Sequence, residues 1–130
     1  PKSPFDLHQH APINAGTLLQ TAAYHRSGGH LAEVELDFSD FAFLHRFQKH
    51  HPQGHLVDLS LQHSLSGTDR PSFQASLHRF EKYCQGAWAF RRNGGPAIAL
   101  LVWTIWRALL LSFRYQNVNF FAVFWRACRH

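Results

Sequence analysis

From Ala97 to Phe113 the chain reads AIALLVWTIWRALLLSF, apolar throughout except for Arg107 and two hydroxyl residues. Such a run must be buried inside the protein or laid against something equally apolar, so it limits every fold the rest of the chain can build. A membrane-crossing helix wants roughly 20 predominantly apolar residues, and the run is just short of that. Arg107, near its middle, costs about 2.5–3.5 kcal/mol in hydrocarbon. Leu, Val and Trp fall all round the helical wheel, whereas an ordinary surface helix carries one apolar stripe. Four readings are open: a helix or strand pair in the core, an interfacial or re-entrant membrane segment, a true span, and a nucleic-acid surface.

Charge sets this region apart. Residues 1–86 hold all eight acids against seven Lys and Arg, while residues 87–130 hold no acid, six Arg and all four Trp. That division predicts an α/β domain at 1–86 and an apolar basic segment, core-packed or membrane-associated, at 87–130. Trp beside Arg in an acid-free stretch suits a headgroup region, and NVNFFAVFWRACRH repeats the theme. Arg91, Arg92, Trp103, Trp106, Arg107, Arg114, Trp125 and Arg126 are therefore the candidate contacts to an anionic membrane surface or a larger protein complex. Nucleic acid ranks below these, because the aromatics could stack on bases but the segment has no Lys.

At 130 residues, 45% hydrophobic and with 12 Phe, the chain can bury a real core and is not globally disordered. Cys84 and Cys128 lack metal or redox spacing and are expected as buried free thiols rather than a disulfide. PKSPFDLHQH has no apolar run, so no secretory signal is expected, and a peripheral membrane or intracellular location is favoured.

Hydrophobic periodicity before residue 87 predicts alternating strands and helices. Ala32, Val34, Leu36 and Phe38 alternate with Glu33, Glu35 and Asp37, the period of a half-buried strand. Val57, Leu59, Leu61 and Leu65 do the same against Asp58, Ser60, Gln62 and Ser64. A short strand is expected in the N-terminal stretch. Helices are expected at 17–26, closed by Ser27-Gly28-Gly29; after a Ser39 cap, stopped by Pro52-Gln53-Gly54; and from Pro71 to Gly86, on the stripe Phe73, Leu77, Phe80 and Cys84. The fold class read from this order is α/β, with repeated βα units in a two-layer α/β sandwich or a fragment of a larger α/β barrel. LHRFQK at 44–49 and LHRFEK at 77–82 fit the same βα unit used twice, their Leu and Phe turned inward.

Ten of the eleven His precede residue 79. In the predicted fold, strand ends gather His8 and His10, Glu35 and Asp37, and His50, His51 and His55. Carboxylates at i and i+2 with nearby imidazoles can bind a divalent cation, Mg, Ca or Zn, and such an ion can activate water or polarise a phosphoryl oxygen. Glu35, Asp37 and His10 are the candidate metal ligands, and His8 and His50 the candidate catalytic residues. The plainer alternative makes Glu33, Glu35 and Asp37 the solvated face of an exposed strand.

The ordered set His8, Glu35-Leu36-Asp37 and His50, with FLHRFQKHHPQGHLVDLSL, resembles the opening of glycerophosphodiester phosphodiesterases and related phospholipase C-like domains over residues 5–65. The resemblance implies an α/β barrel, a divalent metal and phosphodiester hydrolysis, which the basic, Trp-rich C-terminal segment would place at a membrane surface. Gln9-His10 stands where that family has Arg-Gly, and Phe38-Ser39-Asp40-Phe41 where it has a polar loop. Asp6-Leu7-His8-Gln9-His10 is similar to the Asp-x-His-x-His opening of metal-dependent amidohydrolases and polymerase-associated phosphoesterases, and Pro1 to the N-terminal proline of tautomerases. No nucleotide-binding glycine loop or nucleophile elbow is present. The competing function is a non-enzymatic binding or assembly subunit that docks through the aromatic, basic C-terminal segment.

Overall fold

The structure, a computed structural model of the chain, describes residues 3–10, 17–34, 36–57 and 71–129. Of the described residues 61% are helical and 4% lie in strands, which overturns the α/β expectation. The elements are β1 (Phe5–Asp6), α1 (Thr21–Arg26), a 3-10 turn (Leu36–Phe38), α2 (Ser39–Phe47), β2 (Gln53–Gly54), α3 (Phe73–Arg92), α4 (Ala97–Tyr115) and α5 (Asn119–Ala127). Among the described residues, β1 and β2 form the whole sheet, an antiparallel pair of two residues each. The protein is therefore a small helical one, and neither a two-layer sandwich nor a barrel fragment.

Where the second strand was expected, residues 30–34 form an irregular, turn-rich stretch, and Leu36–Phe38 a 3-10 turn that leads into α2. Val34 and Phe38 are both buried, at 3% and 2% exposure, and stand four residues apart, while Ala32 is exposed. That is helical spacing, and it competes with period two because both patterns share Val34 and Phe38. Ser39 does not cap the following helix; its hydroxyl bonds His30 Nδ1 at 3.0 Å. The third predicted strand lies largely outside the described residues. Of its start, Leu56 and Val57 are exposed, and the paired strand is Gln53–Gly54 in the stretch expected to be a turn.

α3 and α4 are long antiparallel helices, with α5 packed across both. Ser72 opens α3, its hydroxyl accepting from the Ala75 backbone N–H at 3.2 Å. The helix does not stop at Gly86. A mid-helix glycine costs about 1 kcal/mol relative to alanine, and burial of Tyr83, Cys84, Ala87 and Phe90 around it overrides that cost. The real stop is Gly94, at φ +89. There the Gly94 N–H bonds the Arg91 carbonyl and the Gly95 N–H reaches the Phe90 carbonyl at 3.0 Å, the paired bonds of a left-handed C-terminal cap. α1 ends the same way at Gly28, so its predicted terminator holds.

Two cores result. The larger joins Val34, Phe38 and Ala42 to Phe80, Cys84 and Phe90 of α3, Leu100 and Ala108 of α4, and Phe120 and Phe124 of α5. Phe80 and Phe73 meet Phe120 edge-on, each with ring centroids 5.7 Å apart. Tyr115 ties the open end of the hairpin: it donates to the Pro71 carbonyl at 2.9 Å while Ser76 Oγ lies 2.7 Å from its hydroxyl. The smaller core, Leu7, Ala23, Phe43 and Phe47, lies between β1, α1 and α2. α2 bridges the two, since Ala42 belongs to one and Phe43 to the other. The repeated LHRF motif does pack by its Phe: Phe47 and Phe80 are buried, in different cores.

Cys84 is buried and Cys128 exposed, and both are free. A thiol-specific reagent is expected to label one cysteine in the folded chain and two in denaturant. Gly94→Ala meets no neighbour within 4 Å but must hold φ +89, and should destabilise by about 1–2 kcal/mol. Gly95→Ala would place a methyl 2.8 Å from Phe90 Cδ2 and 2.9 Å from the Phe90 carbonyl, so it should cost more in a denaturant titration.

Candidate functional site

α4 is built inside out compared with a helix of an ordinary soluble domain. Its inward residues are Leu100, Thr104 and Ala108, at i, i+4 and i+8, all nearly inaccessible. Thr104 satisfies its buried hydroxyl on the Leu100 carbonyl at 2.6 Å. The large side chains point away: Ile98, Leu101, Val102, Trp103, Trp106, Leu109, Leu110 and Phe113 are all exposed, Ile98 by 81% and Phe113 by 87%. Only 17% of the helix's most apolar window is buried. The segment is a helix, but it is not the buried core helix that was one expectation.

The single charge of the run is removed from that face. Arg107 Nη1 lies 3.4 Å from Asp37 Oδ2, and its guanidinium sits 4.2 Å from the centroid of the Tyr83 ring. Asp37 Oδ1 is also 3.4 Å from Arg79 Nη2, so one carboxylate serves two guanidiniums. Burial raises the Tyr83 hydroxyl pKa, and the neighbouring Arg107 opposes that shift. Two helical turns on, Arg114 lies at the same edge of α4 and stacks over Tyr115 at 5.7 Å. The exposed apolar face thus has a sharp cationic border along one side.

At that border Tyr83, Trp103, Trp106, Arg107, Leu110, Leu111 and Arg114 line an open cleft of about 410 Å³. Four of the eight expected surface contacts, Trp103, Trp106, Arg107 and Arg114, meet there. Arg91, Arg92, Trp125 and Arg126 are exposed on α3 and α5 and do not line it; Arg91 stacks on Trp88 at 5.0 Å. Sequence reasoning missed Tyr83, although it lies three residues beyond Phe80 on the apolar stripe of α3.

α4 is long and apolar enough to cross a membrane, by length and composition alone. Its packing speaks against a span. α3 lies alongside and presents His78, Arg79 and Gln85 to solvent along its length, and an Arg carried to mid-bilayer would cost about 2.5–3.5 kcal/mol.

The described members of the expected metal set, Asp37 and His10, have other neighbours. Among the described residues no group of three or more His, Cys, Asp or Glu is placed to hold a metal ion. Asp37 faces Arg79 and Arg107; His10 is exposed and stacks edge-on to Phe5; His50 is exposed beyond α2. His8 is exposed, its backbone N–H bonded to Asp6 Oδ1 at 2.8 Å, and lines a second cleft with Pro4, Phe5, Asp6, Pro52 and Gln53. Glu35 lies outside the described residues. The metal-binding and hydrolase expectations rested on strand ends converging at the rim of a sheet. Without that sheet, the described candidates are dispersed: Asp37 in the 3-10 turn, His8 and His10 in the stretch after β1, and His50 beyond the end of α2.

Two further titratable groups bear on stability. Burial pushes the Cys84 thiol up to about 12, so it stays protonated and unreactive. His45 packs edge-on to Phe90 at 5.8 Å, and its pKa is held below the usual 6.5 by burial first, then by Lys49 and His8, against a hydrogen bond to Gly94. Comparison with protein-family models, curated proteins and solved structures finds no match to the chain.

A depressed histidine pKa means that the unfolded chain takes up its proton first as pH falls. The stability tied to a neutral His45 is therefore full above 6.5 and declines as pH drops through the interval below it. Urea midpoints at about pH 7.5 and about pH 5.5, on either side of an ordinary histidine pKa, should fall more for the wild type than for His45→Gln. Equal falls would remove His45 as a cause.

Proposed function

We propose that the protein is a membrane-surface binding module whose α4 lies flat in the interface of an anionic bilayer, apolar face down. The observation that carries this reading is the orientation of α4: eight large apolar side chains exposed on one face, with the one charge of the run turned aside onto Asp37 and Tyr83. An interfacial helix needs a strong apolar face, cations at its polar edge and aromatic residues at headgroup depth. α4 supplies these in its Leu, Ile and Phe residues, in Arg107 and Arg114, and in Trp103 and Trp106. Continuous apolar exposure on this scale is rare on a free soluble protein and marks a surface that contacts something apolar.

Magnitudes indicate which term dominates. Full burial of a Leu, Ile, Val or Phe side chain gains about 1.5–3 kcal/mol, so a half-exposed one gains on the order of 1 kcal/mol on entering lipid. A basic residue near an anionic surface adds about 1 kcal/mol, and salt screens it. The apolar face therefore outweighs the two arginines at the cleft. Neutral vesicles should bind, and anionic lipid should strengthen binding.

In vesicle flotation the full chain is expected to partition onto phosphatidylcholine membranes, and about tenfold or more strongly once anionic lipid is added, with that increment falling in high salt. The double variant Ile98→Asp, Phe113→Asp replaces two side chains that are 81% and 87% exposed. It should keep its circular dichroism and lose at least about tenfold in partitioning. Undiminished flotation of this variant would contradict the proposal.

A further inference from the structure

The cleft at the border of α4 differs from the rest of the apolar face, because an aromatic wall, an aliphatic floor and two guanidiniums meet there. We infer that it is a discrete site for one phosphorylated amphiphile: the phosphate held between Arg107 and Arg114, the alkyl chain laid along Trp103, Trp106 and Leu110. This assignment rests on the membrane-surface reading, and it adds a stoichiometric ligand to what would otherwise be simple partitioning.

The cleft volume of about 410 Å³ falls within the roughly 300–1,000 Å³ of sites that take small organic ligands. Its cations are pre-positioned. Arg107 is stacked on Tyr83 at 4.2 Å and ion-paired with Asp37 at 3.4 Å. A guanidinium has five donors in a planar fork, so most of its capacity remains for an anion. The facing charged groups are Asp37, which Arg79 also neutralises, and Tyr83, whose raised pKa keeps it uncharged. Arg107, Arg114, Arg79 and Asp37 together leave an excess of positive charge beside a segment, 87–130, that has no acid.

Two successive turns fix the arrangement. Trp103, Trp106 and Leu110 follow at i, i+3 and i+7, one continuous strip, and Arg107 and Arg114 follow at i+4 and i+11 along its edge. A ligand with a charged head and a single long tail matches both. Inorganic phosphate would engage the arginines alone, and an uncharged detergent the strip alone.

The test is titration of the 130-residue chain with dodecyl phosphate below its micelle concentration, by calorimetry and Trp fluorescence. Inorganic phosphate and dodecyl maltoside serve as separate arms, and flotation is run in parallel. The expected result is saturable one-to-one binding of dodecyl phosphate, at least about tenfold tighter than either control, since a charge-assisted hydrogen bond is worth a factor of this order.

Arg114→Gln should weaken that binding about tenfold or more. Leu110→Trp, which fills the cleft, should abolish it. Wild-type affinity in both variants, or non-saturable uptake of many ligands per chain, would overturn the site. Flotation without one-to-one binding removes the site and leaves the surface reading standing. One-to-one binding without flotation supports the site and removes the surface reading.

Discussion

The close packing of α4 against α3 and α5 through Leu100, Thr104 and Ala108 is the contact on which the rest of the structure depends. Two of those three side chains are small, so the helix backbones can approach closely, as small residues at four-residue spacing allow where helices pack in apolar surroundings. The same choice leaves most of the bulky residues of α4 no inward place. Exposed Trp103, Trp106, Leu109, Leu110 and Phe113 are thus a consequence of how the hairpin closes. Gly94 and Tyr115, at the two ends of the hairpin, fix which face turns inward.

Asp37 gives the arrangement its polarity. It pairs with Arg107, and it comes from the N-terminal half of the chain, through a 3-10 turn packed on α3. Ion pairs this exposed contribute about 0–1 kcal/mol each, so Asp37 adds little to stability. Its effect is orientation: with Tyr83 beneath and Asp37 beside it, Arg107 is held at the border of the apolar face. A charge that would have interrupted that face becomes its edge.

Part of the C-terminal half was legible in the sequence, and most of the N-terminal half was not. The apolar run 97–113 and the Gly94-Gly95-Pro96 break stand out in the sequence, but the run reads as a helix or a strand pair, and no local signal announces α5. The stripe Phe73, Leu77, Phe80 and Cys84 located α3, but Gly86 suggested an end that tertiary burial overrides. Around Val34 and Phe38 local pattern was ambiguous, because residues four apart satisfy both a strand and a helical turn. A strand also needs a partner, and no local rule reveals that β1 and β2 offer only two residues each. The histidine and carboxylate cluster depended wholly on that missing sheet. The pairing of Asp37 with Arg107, seventy positions away in the chain, has no local signal.

The most direct test of a flat-lying α4 is a nitroxide scan along α3 and α4 with oxygen and aqueous-nickel accessibility measured on anionic vesicles. Labels at positions 102, 106, 109 and 113 should gain oxygen accessibility at one shallow, common depth, while labels at 78 and 85 on the outer side of α3 stay open to nickel. Labels on α4 that do not respond to vesicles, or whose depth increases steadily from one end of the helix to the other, would contradict the account.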